Sequence, residues 1–196
     1  MVFNSLDELF NTITSIRERV YAVAEQVPSE LGGTRPSPDA WSAAETLDHM
    51  GLAEEFVVSQ IKQQLALPEA DIKANIAARF PGAPDSAEKG RRFQPFSMEK
   101  IGAITRGRKL TAPPPLVPHP DSTIHQALER LRRTRADLLS LRPQIEALDL
   151  SEKRFPHFVF GELTIYEWIA LTGMHDNRHL DQIVATLSQL QRSKAD

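Results

Sequence analysis

The run Met174-His175-Asp176-Asn177-Arg178-His179 sets two histidines four residues apart. On a helix that spacing puts both imidazoles on one face, about a turn from each other, where two rings can share a metal ion. The same spacing adds Trp168, Leu171, Thr172, Gln182, Ile183 and Thr186 to that face, which turns the pair toward a protein interior. A buried polar group left unpaired costs about 1–3 kcal/mol, so inward imidazoles must bind a metal, share an acid or face a wet cavity. His-x-x-x-His alone is a weak signal, because the spacing also occurs on surfaces. A third candidate, His49, lies among Leu47, Met50, Leu52, Ala53 and Phe56. By itself it reads as a core histidine bonded to a neighbour. Taken together, a helix carrying one inward His and another carrying a pair can converge His49, His175 and His179 on one divalent ion. Cysteine is absent, so any transition-metal site must use His, Asp or Glu. Three neutral imidazoles leave open coordination positions, which either bind a water, lowering its pKa toward ~7, or take an incoming thiolate.

The neighbours of these residues have plainer readings. Glu45 stands one turn before His49 and could orient its free ring nitrogen, but a helix-capping role is the better reading. Gln182 follows His179 by three residues and can face the site. Asp48 and Asp176 adjoin candidate ligands in sequence yet point about 100° away on a helix. His119, His125 and His157 read as surface or loop side chains, and Trp41 and Trp168 as packing at helix starts.

Four long helices are expected to carry these side chains. From Leu6 to Val27, apolar residues recur at three- and four-residue steps until Pro28. Ser42 and Glu45 form a capping-box pattern opening a second helix to about Leu67. A third is expected from about Ser122 to Ile145, with Arg132, Arg133, Arg135 and Arg142 on faces other than its apolar stripe. Thr164 and Glu167 repeat the capping pattern and open a fourth, running to about Gln191. Phe155 to Phe160 alternates in hydropathy, but Pro156 favours an extended loop over a strand. Residues 68–121 interrupt the pattern as a proline-rich insertion within one expected domain, 1–196. Short helices are conceivable there at Glu69 to Arg79 and Ser97 to Arg108, along with a basic concentration at Lys89, Arg91, Arg92, Lys100, Arg106, Arg108 and Lys109.

The balance of 23 basic against 26 acidic residues gives a formal charge of −3 and no global field to draw nucleic acid or an anionic membrane. The first residues lack the basic start and apolar run of a signal peptide, and no stretch approaches the roughly 20 apolar residues of a membrane span. The expectation is a cytoplasmic protein with a small-molecule substrate and no nucleic-acid or membrane partner.

Trp41-Ser42-Ala43-Ala44-Glu45-Thr46-Leu47-Asp48-His49-Met50, then Phe160-Gly161-Glu162-Leu163-Thr164-Ile165-Tyr166-Glu167-Trp168, and finally His175-Asp176-Asn177-Arg178-His179-Leu180-Asp181-Gln182-Ile183 resemble the DinB/YfiT-like superfamily. The resemblance is strong over Trp41 to Leu52 and Phe155 to Ile183 and absent from Pro68 to Asp121. It implies an all-α, antiparallel four-helix bundle, frequently a homodimer, with His49, His175 and His179 binding nickel or zinc, or alternatively manganese or iron. It also implies a choice of activities. These are transfer using a low-molecular-weight thiol (bacillithiol, mycothiol or glutathione), hydrolysis by a metal-bound water, and a non-catalytic, stress-associated role. His157 is followed by Phe158 where similar sequences often place proline, a departure from the pattern.

Overall fold

The computed structural model describes residues 1–66, 93–105, 110–148, 150 and 153–195. Four long helices organise it. The first, α1 (Leu6–Glu25), starts where Ser5 Oγ accepts the Glu8 N–H at 3.1 Å. After a short turn, α2 (Ser29–Gly32), comes α3 (Ala43–Leu65), whose start is closed by the Ser42–Glu45 capping box. The third long helix, α5 (Ile124–Ser140), opens on a Thr123–Gln126 box, and the last, α7 (Ile165–Ala195), on reciprocal bonds between Thr164 and Glu167. Each box satisfies amide groups that the first helical turn leaves free.

Helix direction follows from which side chains meet. Asp48, Glu54 and Lys62 of α3 pair with Arg130, Arg135 and Asp137 of α5 in the same order, so these helices run parallel. His49 and Phe56 of α3 meet His175 and Trp168 of α7 in reverse order, so those run antiparallel. Arg17 and Arg19 of α1 meet Asp176 and Asn177, which makes α1 parallel to α7. The bundle thus has two helices in each direction. Because α3 and α5 are parallel neighbours, the chain between them must travel back along the bundle, and this is why so long a segment separates them.

Within that return, β2 (Phe96–Ser97) pairs antiparallel with β1 (Val2–Phe3), and α4 (Glu99–Thr105) follows it. Lys100 lies in α4. The expected helix at Glu69 to Arg79 and the basic side chains at 89, 91, 92, 106, 108 and 109 lie outside the described residues. A 3-10 turn at Pro114–Leu116 then crosses α3.

Two expectations are corrected. The third helix does not continue to Ile145 but breaks at Leu141, after which α6 (Arg142–Ala147) begins with a proline in its first turn. Pro143 cannot donate the backbone bond that an unbroken helix would need there. The stretch from Phe155 is a hairpin rather than a loop: β3 (Arg154–His157) pairs with β4 (Gly161–Thr164), Phe155 facing Leu163 and Pro156 facing Glu162. In a two-stranded ribbon both strands are edges, so Pro156 withholds a donor that no further strand requires. Gly161, at φ 74°, closes the turn in the left-handed region that glycine adopts without penalty.

The core is in two parts. Phe10, Ile13, Val57, Ile61, Leu138 and Ile169 belong to one apolar cluster, and Val20, Leu47, Met50, Leu131, Leu180 and Ile183 to the other. Between them each long helix places a buried polar residue: Arg17, Glu54, Thr134 with Arg135, and Asp176. No helix among the described residues is long and apolar enough to cross a membrane.

Candidate metal centre

His49 comes from the second turn of α3, and His175 and His179 from successive turns of α7, which packs against it. The three rings meet. His49 Nε2 is 3.1 Å and His179 Nε2 3.2 Å from His175 Nε2, and all three ligand atoms lie within 4.8 Å of one another. Imidazole nitrogens sharing one ion at bond lengths of about 2.0–2.1 Å stand about 3 Å apart, so the set fits a divalent ion at its centre. Among the described residues no other His, Asp or Glu cluster of this kind occurs.

The outer ring nitrogens fix the direction of the inner ones. His49 Nδ1 donates to the Leu116 carbonyl at 2.7 Å, and His179 Nδ1 donates to Gln182 Oε1 at 2.9 Å. With their protons held there, both neutral rings turn unprotonated Nε2 lone pairs inward. His175 Nε2 has at most one proton to offer the two of them, so the donor set is short of positive charge at its centre. A cation at that point would supply it. Burial, aided by the neighbouring imidazoles, lowers the pKa of His175 well below its usual value and that of His179 to about 3. Burial also lowers His49, despite the opposing Leu116 hydrogen bond and the charge of Asp48. All three are therefore neutral, metal-ready bases at neutral pH.

Above the triad lies a cavity of about 630 Å³, bordered by Trp41, Phe56, Leu116, Phe158, Trp168 and Met174 among others. Trp41 packs 4.8 Å from the His49 ring, and Trp168 stacks on Phe155 while its indole N–H donates to the Phe155 carbonyl at 3.2 Å. Trp41 and Trp168 are thus walls of the cavity as well as helix-start packing. His157 also borders it, 4.9 Å from the Trp168 ring, and accepts the Val159 N–H on Nδ1 at 3.0 Å. Burial lowers its pKa to about 4, so the ring is neutral and its proton sits on Nε2.

Glu45 and Asp48 keep their sequence readings, while His119 and Arg135 do not. Glu45 does not orient His49: its carboxylate closes the Ser42 capping box and is bound by Arg35. Asp48 points away from the triad, and its carboxylate accepts the His119 N–H and ring Nδ1 and the Arg130 Nε. His119 is accordingly a tie from the segment before α5 onto α3 rather than a free loop residue. Arg135, off the apolar stripe in the sequence, is nonetheless buried. Arg17, which no periodicity singled out, is buried beside it.

These two arginines complete a charged layer. Arg17 donates to both Asp176 oxygens at 2.8 and 2.9 Å and to Glu54 at 2.9 Å. Arg135 donates to Glu54 at 2.8 Å and Asp176 at 3.0 Å, and Thr134 Oγ1 to Glu54 at 2.7 Å. Each arginine spends a further N–H on a backbone carbonyl, of Leu131 or Ile13. The layer is adjacent to the triad through Asp176 and locks α7 against the other three long helices.

Comparisons with known proteins agree with this architecture. A family model described as the DinB superfamily matches residues 12–183. An uncharacterized protein of Bacillus subtilis strain 168, YuaE, is 28% identical over 160 residues, covering 81% of this chain and 85% of that protein. The crystal structure of TT2238, a four-helix bundle protein, superposes with a TM-score of 0.55 over 92% of this chain and 99% of that one, at 18% identity.

Proposed function

Because the chain belongs to the DinB superfamily, we propose that it is a metal-dependent enzyme acting on a small molecule, with His49, His175 and His179 as the ligands of one divalent ion. The observation that carries this reading is the convergence of three inward-facing Nε2 atoms on one point, two of them held in that orientation by acceptors on their far side. An ion bound there supplies a Lewis acid that keeps an incoming thiol or water deprotonated and nucleophilic. Of the two, thiol transfer is the reading we adopt. The chain has no cysteine of its own, so the thiol is a low-molecular-weight cofactor from solution. Nickel or zinc suits a set of neutral imidazoles.

The chain's own residues contribute orientation and exclusion of water. The Leu116 carbonyl and Gln182 hold the ligand rings, and the Arg17–Asp176 pair fixes the register of α7. Aromatic walls keep bulk solvent from the reacting face. The test is turnover by nickel- or zinc-loaded protein, purified without a polyhistidine tag, of an electrophile such as monochlorobimane with glutathione, bacillithiol or mycothiol. Product formation that needs both metal and thiol and disappears in His49→Ala is expected. Ester hydrolysis without any thiol would reassign the chemistry to activated water, and no turnover with a fully loaded site would remove the enzymatic reading.

A further inference from the structure

The cavity's chemistry is uneven. The three inward Nε2 atoms are gathered at one place on its floor, while its sides are mainly aromatic and aliphatic, with Asp39, Thr111, Thr172, Arg178 and Gln182 also on its border. Glu54 and Asp176 also border it, but their carboxylates are already bound by Arg17 and Arg135 and leave no net charge for a ligand. His157 is neutral and packs against Phe158 and Phe160 at 4.5 Å. Against the apolar sides, a ligand with hydroxyls, amides or charges spread along its length would give up water without full replacement, at about 1–3 kcal/mol for each unpaired group.

A second observation concerns the mouth. Phe158, at the hairpin tip, is 63% exposed and Phe56 40% exposed, and both border the same cavity. Large apolar side chains turned to solvent around a concave apolar site mark a surface that gains by being covered. A volume of about 630 Å³ accommodates a body of two or three fused or linked rings.

We propose that the substrate bound at this site is an apolar, aromatic-bodied small molecule with a single donor or electrophilic group at one end, the body lying against the Trp41, Phe56, Phe158 and Trp168 walls and the polar end at the histidine triad. The proposal rests on the metal-site reading for its polar end only; the apolar walls stand independently of it.

The chain's two tryptophans both border the cavity, so their fluorescence reports its occupancy. Two measurements test the two halves separately. N-phenyl-1-naphthylamine, a neutral apolar fluorophore with no ligating head, should bind the metal-free protein with energy transfer from tryptophan. Phe158→Ser, at an exposed position away from the metal, should weaken it by about tenfold. Cobalt-loaded protein should then bind 2-naphthohydroxamate about a hundredfold more tightly than acetohydroxamate, which has the same head and no ring body. Absence of naphthylamine binding, or equal affinity for the two hydroxamates, would overturn the substrate assignment while leaving the metal site standing. Failure to take up cobalt at all would overturn the metal reading and, with it, the placement of the polar end.

Discussion

Gln182 accepts a hydrogen bond from His179 Nδ1 and so sets both the tautomer and the tilt of that ring. Its loss in Gln182→Ala should weaken metal binding by about 10–100-fold with little change in melting temperature, measured by competition with a chromophoric chelator. The buried imidazoles also fix a pH dependence for the metal-free protein. His157 titrates near 4 and His179 near 3 in the fold, against a usual 6.5, chiefly because burial disfavours their charged forms. Below pH 6.5 the unfolded chain therefore binds more protons than the folded one, and stability falls as pH drops through the window toward 4. Melting temperatures of metal-free protein between pH 7.5 and about 4 should decline below 6.5, and His157→Gln should flatten that decline. The three triad histidines were readable from sequence because imidazoles on apolar faces are a visible anomaly. Their orienting groups were only half readable: Gln182 has a side chain and a spacing, whereas the Leu116 carbonyl is backbone and carries no residue signal.

Helix starts were readable for the same kind of reason, since the Ser42–Glu45 and Thr164–Glu167 pairs name the groups that bond. The β3–β4 hairpin was not, because Pro156 argues against a strand unless the sheet is known to have only two. The break at Leu141 is hidden because Leu138, Leu141 and Ile145 keep helical spacing across it. Where α1 and α7 approach, Gly173 is the contact that permits their separation. A Cβ there would stand 2.9 Å from Ile13 Cγ2 and 3.4 Å from Ile13 Cα. Gly173→Val should push the helices apart and cost about 1–3 kcal/mol in urea unfolding, in addition to loosening the triad two residues on.

At the level of the whole bundle, two apolar cores are joined through a charged layer that no apolar periodicity reveals. Arg135 sits among surface-like arginines in the sequence, and only the meeting of four helices shows that it is buried. Two arginines and two carboxylates balance there, with every buried side-chain polar atom among the described residues bonded. Arg135→Met should leave Glu54 and Asp176 with one cation between them and destabilise the fold by about 3–5 kcal/mol, as read from urea midpoints. The layer also explains how a site assembled from distant segments keeps its geometry, because Asp176 is pinned next to His175. The central claim is that the three imidazoles hold one ion, and an anomalous difference map from a zinc- or nickel-loaded crystal, recorded at the metal's absorption edge, tests it most directly. A single peak within about 2.0–2.2 Å of Nε2 of His49, His175 and His179 is expected. No peak in that position from fully loaded protein, or a peak bound by other residues, would contradict the account.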